Sequence, residues 1–520
     1  MDSRSLTCTK VKTNQRLSIV PKYSELLRDD LIEFREYQDN IALKSVDKNT
    51  LIVIPTALGK TIIAIIALSV LIRDGGKCIF LAPTRPLVHQ HAANIRKFLN
   101  LPQEEIVEVT GEIKKSMRKE LYRSAKVIVS TPQVIDNDSS LFYDLKNEVK
   151  VVIFDEAHRA IGNYSYVEVA NYFADSRVIA TTASPGGDRS KIDQIIKNLR
   201  IEELEIRDES SPDVVAYIKG IDTEQVKILT PPGPTEIIEG IKDMLLEMIN
   251  KLQSFSLRIQ GRSRKELISL GDYIFSQIKR GNKYFYSAAR FRTYAILLDY
   301  LLEFAETQGV LPFYEYLQDM KRENSKAKKI VTDPRMISIE KKAEKLSTQP
   351  LSEHTPKMAK IIEILKEREN EKAIVFCHYR ITANILSDIL KKEGFLCEKF
   401  IGQSSRKEGK GMTQKEQATT IQLFREGLIK VLVATQVGEE GLDVPAADTV
   451  IFYEPVPSEV RSIQRRGRTG RFGKGKVYVL TMENTRDLSY YYAAGRKEKK
   501  MKNILRDGKK NVQTTFDSFH

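Results

Sequence analysis

Two short runs of this chain carry residue types that could handle a phosphate. Pro55-Thr56-Ala57-Leu58-Gly59-Lys60-Thr61 lies between an apolar run and a long apolar stretch. A turn from strand to helix aims successive backbone N–H groups and a helix N-terminus at one anion. In that setting Lys60 reaches the β- and γ-phosphates and the Thr61 hydroxyl sits on Mg2+. The full Gly-x-x-x-x-Gly-Lys-Ser/Thr pattern is not met, because Ile54 stands where its first glycine would be. A second run, Val151 to Phe154, delivers Asp155-Glu156-Ala157-His158. The carboxyl end of a strand is the usual place for ligand chemistry in an open α/β sheet. Asp155 there would hold Mg2+ through water, and Glu156 would orient or deprotonate an attacking water. Alone, the first run could be an ordinary strand–turn–helix and the second a surface acidic pair. Together on one sheet they read as a nucleotide site.

The elements that must hold these residues follow from hydropathy. Continuous apolar runs at 51–55, 77–83, 127–131, 151–155 and 177–182 predict strands buried on both faces of a parallel sheet. The same rhythm returns at 373–379, 430–435, 449–455 and 476–481. Between them the pattern changes. After Pro231-Pro232-Gly233-Pro234, the residues Ile237, Ile238, Ile241, Met244, Leu245, Met248 and Leu252 recur at helical spacing. The predicted fold class is α/β, two parallel-sheet domains with an all-helical insert between them. The boundaries are 1–230, 231–345 and 346–495, followed by a polar, poorly packed tail over 496–520.

Whole-chain composition narrows the class. Of 520 residues 41% are apolar, and the longest apolar run, Ile62 to Ile72, falls short of the ~20 residues that span a bilayer. The start of the chain has no signal-peptide pattern. The four cysteines, Cys8, Cys78, Cys377 and Cys397, show no paired spacing, and Cys78 and Cys377 sit in strand-like runs. A reducing, intracellular compartment is expected, cytoplasmic in a prokaryote or archaeon and nuclear in a eukaryote. The net charge of +14 is the footprint of a polyanion-binding protein.

In order along the chain, these runs resemble the motifs of a superfamily-2 helicase with DEAH lettering. Arg35-Glu-Tyr-Gln38 resembles the adenine-recognition element, and Pro55 to Thr61 resembles motif I. Ala82-Pro-Thr-Arg-Pro-Leu87 is similar to motif Ia, Ser130-Thr-Pro132 to Ic, Asp155 to His158 to II and Thr182-Ala-Ser184 to III. Later, Val375-Phe-Cys377 resembles motif IV, Ala434-Thr435 through Gly438 to Asp443 motif V, and Gln464-Arg-Arg-Gly-Arg468-Thr-Gly-Arg471 motif VI. The resemblance implies two RecA-like domains, ATP and Mg2+ as cofactors, and an ATPase site split between the domains. It implies that Arg35, Gln38, Pro55, Thr56, Ala57, Leu58, Gly59, Lys60, Thr61, Gly441 and Asp443 bind the nucleotide, and that Thr61 and Asp155 hold the metal. Lys60, Asp155, Glu156, Gln464, Arg468 and Arg471 would carry catalysis, with Arg468 and Arg471 as arginine fingers. In GTPases such a finger is worth about 10³–10⁵ in rate, enough to make hydrolysis conditional on domain closure. Thr84, Arg85, Thr131 and Thr435 would contact nucleic acid.

The finer resemblance is to the archaeal Hef helicases and their FANCM relatives. It rests on the form of motif I, on Ala82 to His91, on Thr181 to Gly187 and on the helical insert before motif IV. That group acts on branched DNA, including stalled forks and Holliday junctions, moving 3′→5′ in repair and replication restart. Ala57 departs from the Gly expected there, and no XPF-type nuclease domain follows motif VI, so the chain resembles only the helicase half.

Within the insert, residues 251–294 carry Lys251, Arg258, Arg262, Arg264, Lys265, Lys279, Arg280, Lys283, Arg290 and Arg292 against only Glu266 and Asp272. The rings of Phe255, Tyr273, Phe275, Tyr284, Phe285, Tyr286, Phe291 and Tyr294 are interleaved. Cations that neutralise phosphates and rings that stack on bases are the parts of a branched or single-strand DNA surface. Arg262, Arg264, Lys265, Lys279 and Arg280 are the candidate contacts. At the end of the chain Gln513, Phe516, Phe519 and His520 resemble a sliding-clamp (PCNA) interaction box, with His520 departing in the last slot. The alternative to a DNA motor is a double-stranded RNA sensor or translocase of the related RNA-receptor group. Such sensors carry further domains, for which the 34 residues before Arg35 are not expected to leave room.

Overall fold

Apolar runs with no alternating polar face can be satisfied only by strands covered on both sides, and they form two parallel sheets. The computed structural model describes residues 23–55, 58–208, 211–217, 222–257, 259, 263–323, 327–402, 411–435, 447–455 and 475–517. The first sheet holds β1 Thr50–Val53, β2 Lys77–Leu81, β3 Ile106–Val109, β4 Val127–Ser130, β5 Val149–Asp155, β6 Arg177–Thr182 and β7 Glu203–Ile206. Its order is β3-β4-β2-β5-β6-β1-β7, and every neighbouring pair is parallel. Parallel pairing brings the carboxyl ends of β1, β2, β4, β5 and β6 to one edge, where both candidate phosphate-handling runs lie.

The second sheet holds β8 Asp222–Ile228, β9 Ala373–Phe376, β10 Cys397–Phe400, β11 Val431–Ala434, β12 Thr449–Phe452 and β13 Lys476–Met482. Its order is β10-β11-β9-β12-β13-β8. Strand β8 corrects the boundary expected at 230. It pairs in parallel with β13, from Asp222 beside Lys476 to Ile228 beside Met482, and so belongs to the second sheet. None of its residues is buried, so this edge strand lacks the apolar run that marks its neighbours.

Between β8 and β9 the insert folds as helices, among them Pro232–Gln253, Arg264–Lys279, Phe285–Thr307, Val310–Glu323 and Pro334–Ser347. The first buries Ile237, Ile238, Ile241, Met244, Leu245 and Leu252, as their spacing predicts, and also Ile249. The insert is keyed to the second domain through a buried polar joint. Lys357 Nζ donates to Asp487 Oδ2 at 2.5 Å and to the Thr307 carbonyl at 2.7 Å. Thr382 Oγ1 donates to Gln308 Oε1 at 2.7 Å, and the Phe304 ring packs on Tyr379 at 4.3 Å.

The expected loose tail is corrected over 496–517, and 518–520 lie outside the described residues. One helix, Arg486–Asp517, starts beside β13 and reaches the first domain. There Met501, 3% exposed, joins the first domain's core with Ile504 packed alongside. No helix among the described residues is long and apolar enough to cross a membrane.

Candidate active site and nucleic-acid face

The phosphate loop is set by the helix behind it. Lys60–Leu71 is buried over most of its length, which fixes its amino end at the sheet edge. Gly59 caps it in the left-handed region, at φ 76° and ψ 41°. The neighbouring Glu36–Asp47 helix, capped by Arg35, braces the loop. Tyr37 Oη and Gln38 Nε2 both donate to the Leu58 carbonyl, at 2.8 and 3.0 Å. Gln38 Oε1 is buried and finds no partner among the described residues. An orphaned acceptor beside a phosphate loop fits the exocyclic amine of adenine. The Arg35 guanidinium stands 5.4 Å from the Tyr217 ring, which packs on Tyr37 at 5.7 Å. Tyr217 was not visible as a site residue in the sequence, because it follows β7 in a stretch without motif character.

Lys60 is 8% exposed, with Nζ 3.5 Å from the Ile54 carbonyl. Asp155 ends β5 and is 7% exposed. Thr181 Oγ1, on the adjacent strand β6, donates to its Oδ1 at 2.7 Å, and His91 Nε2 lies 2.8 Å from Oδ2. Tyr166 Oη donates to its backbone carbonyl at 2.5 Å. Burial alone would raise the Asp155 pKa. The His91 imidazole, the Lys60 charge and the Thr181 hydroxyl outweigh it and hold the carboxyl below the usual carboxylate range. An anionic carboxylate beside a lysine and a phosphate loop is a fitting donor for a magnesium–nucleotide complex. No group of three or more His, Cys, Asp or Glu side chains among the described residues could hold a metal alone. A hard cation that shares its coordination with substrate phosphates needs only one or two carboxylates.

Glu156 follows at φ 52° and ψ 48°, a conformation that costs a non-glycine residue ~1–2 kcal/mol. Strain of this kind gathers at functional turns. Glu156 Oε2 lies 3.3 Å from His158 Nδ1, which lies 3.2 Å from Thr182 Oγ1. The Ser184 N–H donates to Thr182 Oγ1 at 3.2 Å, and Ser184 Oγ donates to Met501 Sδ at 2.9 Å. A chain of polar contacts, one of them through the Ser184 backbone N–H, therefore links the candidate base to the terminal helix.

The residues expected to touch nucleic acid separate into groups. Thr84 and Thr131 cap the Arg85–Phe98 and Pro132–Asn137 helices, just past β2 and β4 on the same sheet edge. Arg85 pairs with exposed Glu112 at 2.5 Å. Thr435 follows β11 and is buried. In the insert Lys265, Lys279 and Arg280 are exposed, as are Tyr273, Phe275, Tyr284 and Tyr286. Phe255 and Phe285 are instead buried, and Phe291 and Tyr294 pack against the same core. Arg264 is a correction. Its guanidinium binds Asp299 and Glu303, each at 2.5 Å, and lies 3.7 Å from the Tyr300 ring, so it holds the insert together instead of meeting a phosphate. The cation was visible in the sequence, but its carboxylate partners, 35 and 39 residues on and in another helix, were not. Thr56, Ala57, Arg262, Gly441, Asp443, Gln464, Arg468, Arg471 and Phe519 lie outside the described residues, as do the side chains of Gln513 and Phe516.

Three family descriptions match in chain order. They are DEAD/DEAH box helicase over residues 35–192, the helical bundle of a putative ATP-dependent RNA helicase over 235–350, and helicase conserved C-terminal domain over 356–473. The two sheets and the bundle between them are thus a superfamily-2 helicase core. The chain is 39% identical to the Hef helicase domain of Pyrococcus furiosus, whose crystal structure it matches with a TM-score of 0.68, covering 90% of this chain and 100% of that one. It is 38% identical to a putative ATP-dependent RNA helicase of Methanocaldococcus jannaschii over 93% of this chain and 62% of that protein. With FANCM of Arabidopsis thaliana, named a DEAD-box ATP-dependent RNA helicase, identity is 33% over 90% of this chain and 36% of the relative. With mph1 of Neurospora crassa, named an ATP-dependent DNA helicase, it is 31% over 86% and 41%. The chain therefore spans less than two thirds of each of these three relatives. It belongs to the Hef/FANCM family of superfamily-2 helicases.

Proposed function

We propose that this chain is an ATP-driven DNA motor that remodels branched DNA, such as stalled forks and Holliday junctions, moving 3′→5′ in repair and replication restart. The observation that carries the reading is the common sheet edge. It gathers Gly59, Lys60, Asp155 and Glu156 with the Thr84 and Thr131 caps, so that nucleotide and nucleic acid would meet the same strand ends.

On this reading Gln38 recognises adenine, the loop through Gly59 cradles the phosphates, and Lys60 draws charge from the β- and γ-phosphates. Thr61 and Asp155 would hold Mg2+, which when bound offsets the charge of the triphosphate. Glu156 accepts a proton from the attacking water. Arg468 and Arg471 approach from the second domain with a planar fork suited to phosphate. Hydrolysis then requires the two domains to close, and the insert, keyed to the second domain through the Thr307 carbonyl on Lys357 and Gln308 on Thr382, moves with it. Exposed Tyr273, Phe275, Tyr284 and Tyr286 beside Lys279 and Arg280 support an insert that grips unpaired bases near a junction. Gln513, Phe516 and Phe519 would engage a sliding clamp.

The test is ATPase turnover with forked DNA, four-way junction, single-stranded DNA and duplex RNA, together with fork affinity. Forked DNA should stimulate most, and Glu156→Gln should abolish turnover while ATP still binds. Phe275→Ala and Tyr284→Ala should each weaken fork binding by ~1–3 kcal/mol, the scale of one stacked base. Stronger stimulation by duplex RNA would overturn the DNA reading in favour of an RNA translocase, the substrate named for two of the relatives.

A further inference from the structure

We propose that His91 is a positioning residue that holds the Asp155 carboxylate for the magnesium–nucleotide complex and ties it to the nucleic-acid contacts at the start of its own helix. The inference rests on the ATP and DNA reading above and adds a named route between the two sites.

The geometry at Asp155 is a clamp with one donor on each oxygen, Thr181 Oγ1 at 2.7 Å on Oδ1 and His91 Nε2 at 2.8 Å on Oδ2. An ionised carboxylate only accepts, so His91 Nε2 carries a proton toward Oδ2. Nδ1 is buried and finds no partner among the described residues. Leaving such an atom unmatched costs ~1–3 kcal/mol. A residue selected for packing alone would avoid that loss by being apolar. The ring is 3% exposed and is held at 4.6 Å from Phe80 of β2. Both its position and its donor are therefore fixed before any ligand arrives.

The second half of the inference comes from where His91 is carried. The Arg85–Phe98 helix begins at the Thr84 cap and buries Val88, His91, Ala92 and Ile95 along one face. His91 lies six residues past Arg85, about 9 Å along the axis at ~1.5 Å per residue. A helix turn and a half long between two contacts moves as a unit. A phosphate that draws Thr84 and Arg85 toward it therefore shifts Nε2 against Oδ2, where a few tenths of an ångström change the strength of the bond. Thr181 lies on β6, not on the helix that begins at Thr84, so of the two donors only His91 is carried by that helix.

The experiment titrates Mg2+ into the full chain with a fluorescent ATP analogue and reads binding, not turnover, with and without forked DNA. Fork affinity without nucleotide is measured alongside. In the wild type, forked DNA lowers the half-saturating Mg2+. His91→Leu should raise that concentration about tenfold, the low end of what loss of a partner to a metal-binding carboxylate produces, and should abolish the effect of DNA. His91→Gln, whose amide N–H has a similar reach, should restore both. Thr181→Val should raise the Mg2+ requirement while the DNA effect persists. Unchanged Mg2+ dependence in His91→Leu overturns the proposal, and so does His91→Gln behaving like His91→Leu, which would make the residue one of packing only. A DNA effect that survives in His91→Leu overturns the coupling. If His91→Leu does not fold, loss of the DNA effect in Thr181→Val overturns the coupling instead. Nucleotide binding by the wild type that ignores Mg2+ would overturn this inference, whereas no nucleotide binding at any Mg2+ concentration would refute the ATP reading.

Discussion

Gly59→Ala separates two penalties that coincide at the phosphate loop. The residue sits at φ 76° and ψ 41°, and a Cβ added there would stand 2.5 Å from Gln38 Nε2. The left-handed backbone alone costs an L-residue ~1–2 kcal/mol. Clearing the Cβ also forces the Gln38 amide away from the Leu58 carbonyl, a 3.0 Å hydrogen bond whose net worth is ~1 kcal/mol. The total is about 2–3 kcal/mol of stability. Gln38 also presents the unpartnered Oε1 expected to receive adenine, so displacing it should weaken nucleotide binding about fivefold, the equivalent of ~1 kcal/mol. Gly162→Ala supplies the control, because Gly162 has φ 57° and nothing within 4 Å of an added Cβ. Chemical denaturation should show Gly59→Ala losing about 1 kcal/mol more than Gly162→Ala. Titration with a fluorescent ATP analogue should show weaker binding for Gly59→Ala alone. In a Gln38→Ala background the added cost of Gly59→Ala should fall to that of Gly162→Ala, since the clashing amide and its hydrogen bond are already gone. Equal losses in the two glycine variants with unchanged nucleotide affinity would refute the steric argument.

The buried ion pair of the second domain on which the insert's Thr307 carbonyl rests should behave as a matched pair. Lys357→Met should destabilise by ~3–5 kcal/mol because it strands Asp487, and Lys357→Met with Asp487→Leu should recover most of that in denaturation experiments. A double variant no better than the single would show that the pair is not the unit. Burial lowers the pKa of His354, only partly offset by the hydrogen bond to the Gln349 carbonyl. A depressed histidine favours the neutral fold, so its contribution is present above the ordinary value of about 6.5 and is lost as pH falls through the folded value. Melting temperatures compared at about pH 7.5 and about pH 5.5 should fall more in the wild type than in His354→Gln. An equal fall would remove His354 from the account.

The parts legible in the sequence are those whose signal is local. Residues 51–54, 127–130 and 151–154 read as strands because burial on both faces demands unbroken apolar character, and β1, β4 and β5 are buried there. Gly59, Lys60, Asp155 and Glu156 could be singled out for the same reason, since each stands at a fixed offset from a strand. Where burial is partial the signal weakens. Strand β8 is polar and half-exposed, and nothing local says that Asp222 will lie beside Lys476. The insert's rings show the same limit, because Tyr284 and Phe285 are adjacent in sequence while one is exposed and the other buried.

By itself, then, the sequence determined which segments must be buried and which polar residues stand at strand ends, because hydropathy and spacing act over a few residues. Only the tertiary structure decided which distant side chains meet. His91 and Asp155 are 64 residues apart, and Ser184 and Met501 are 317 apart. These contacts depend on sheet order and on how two domains pack against shared helices, and no local periodicity encodes either.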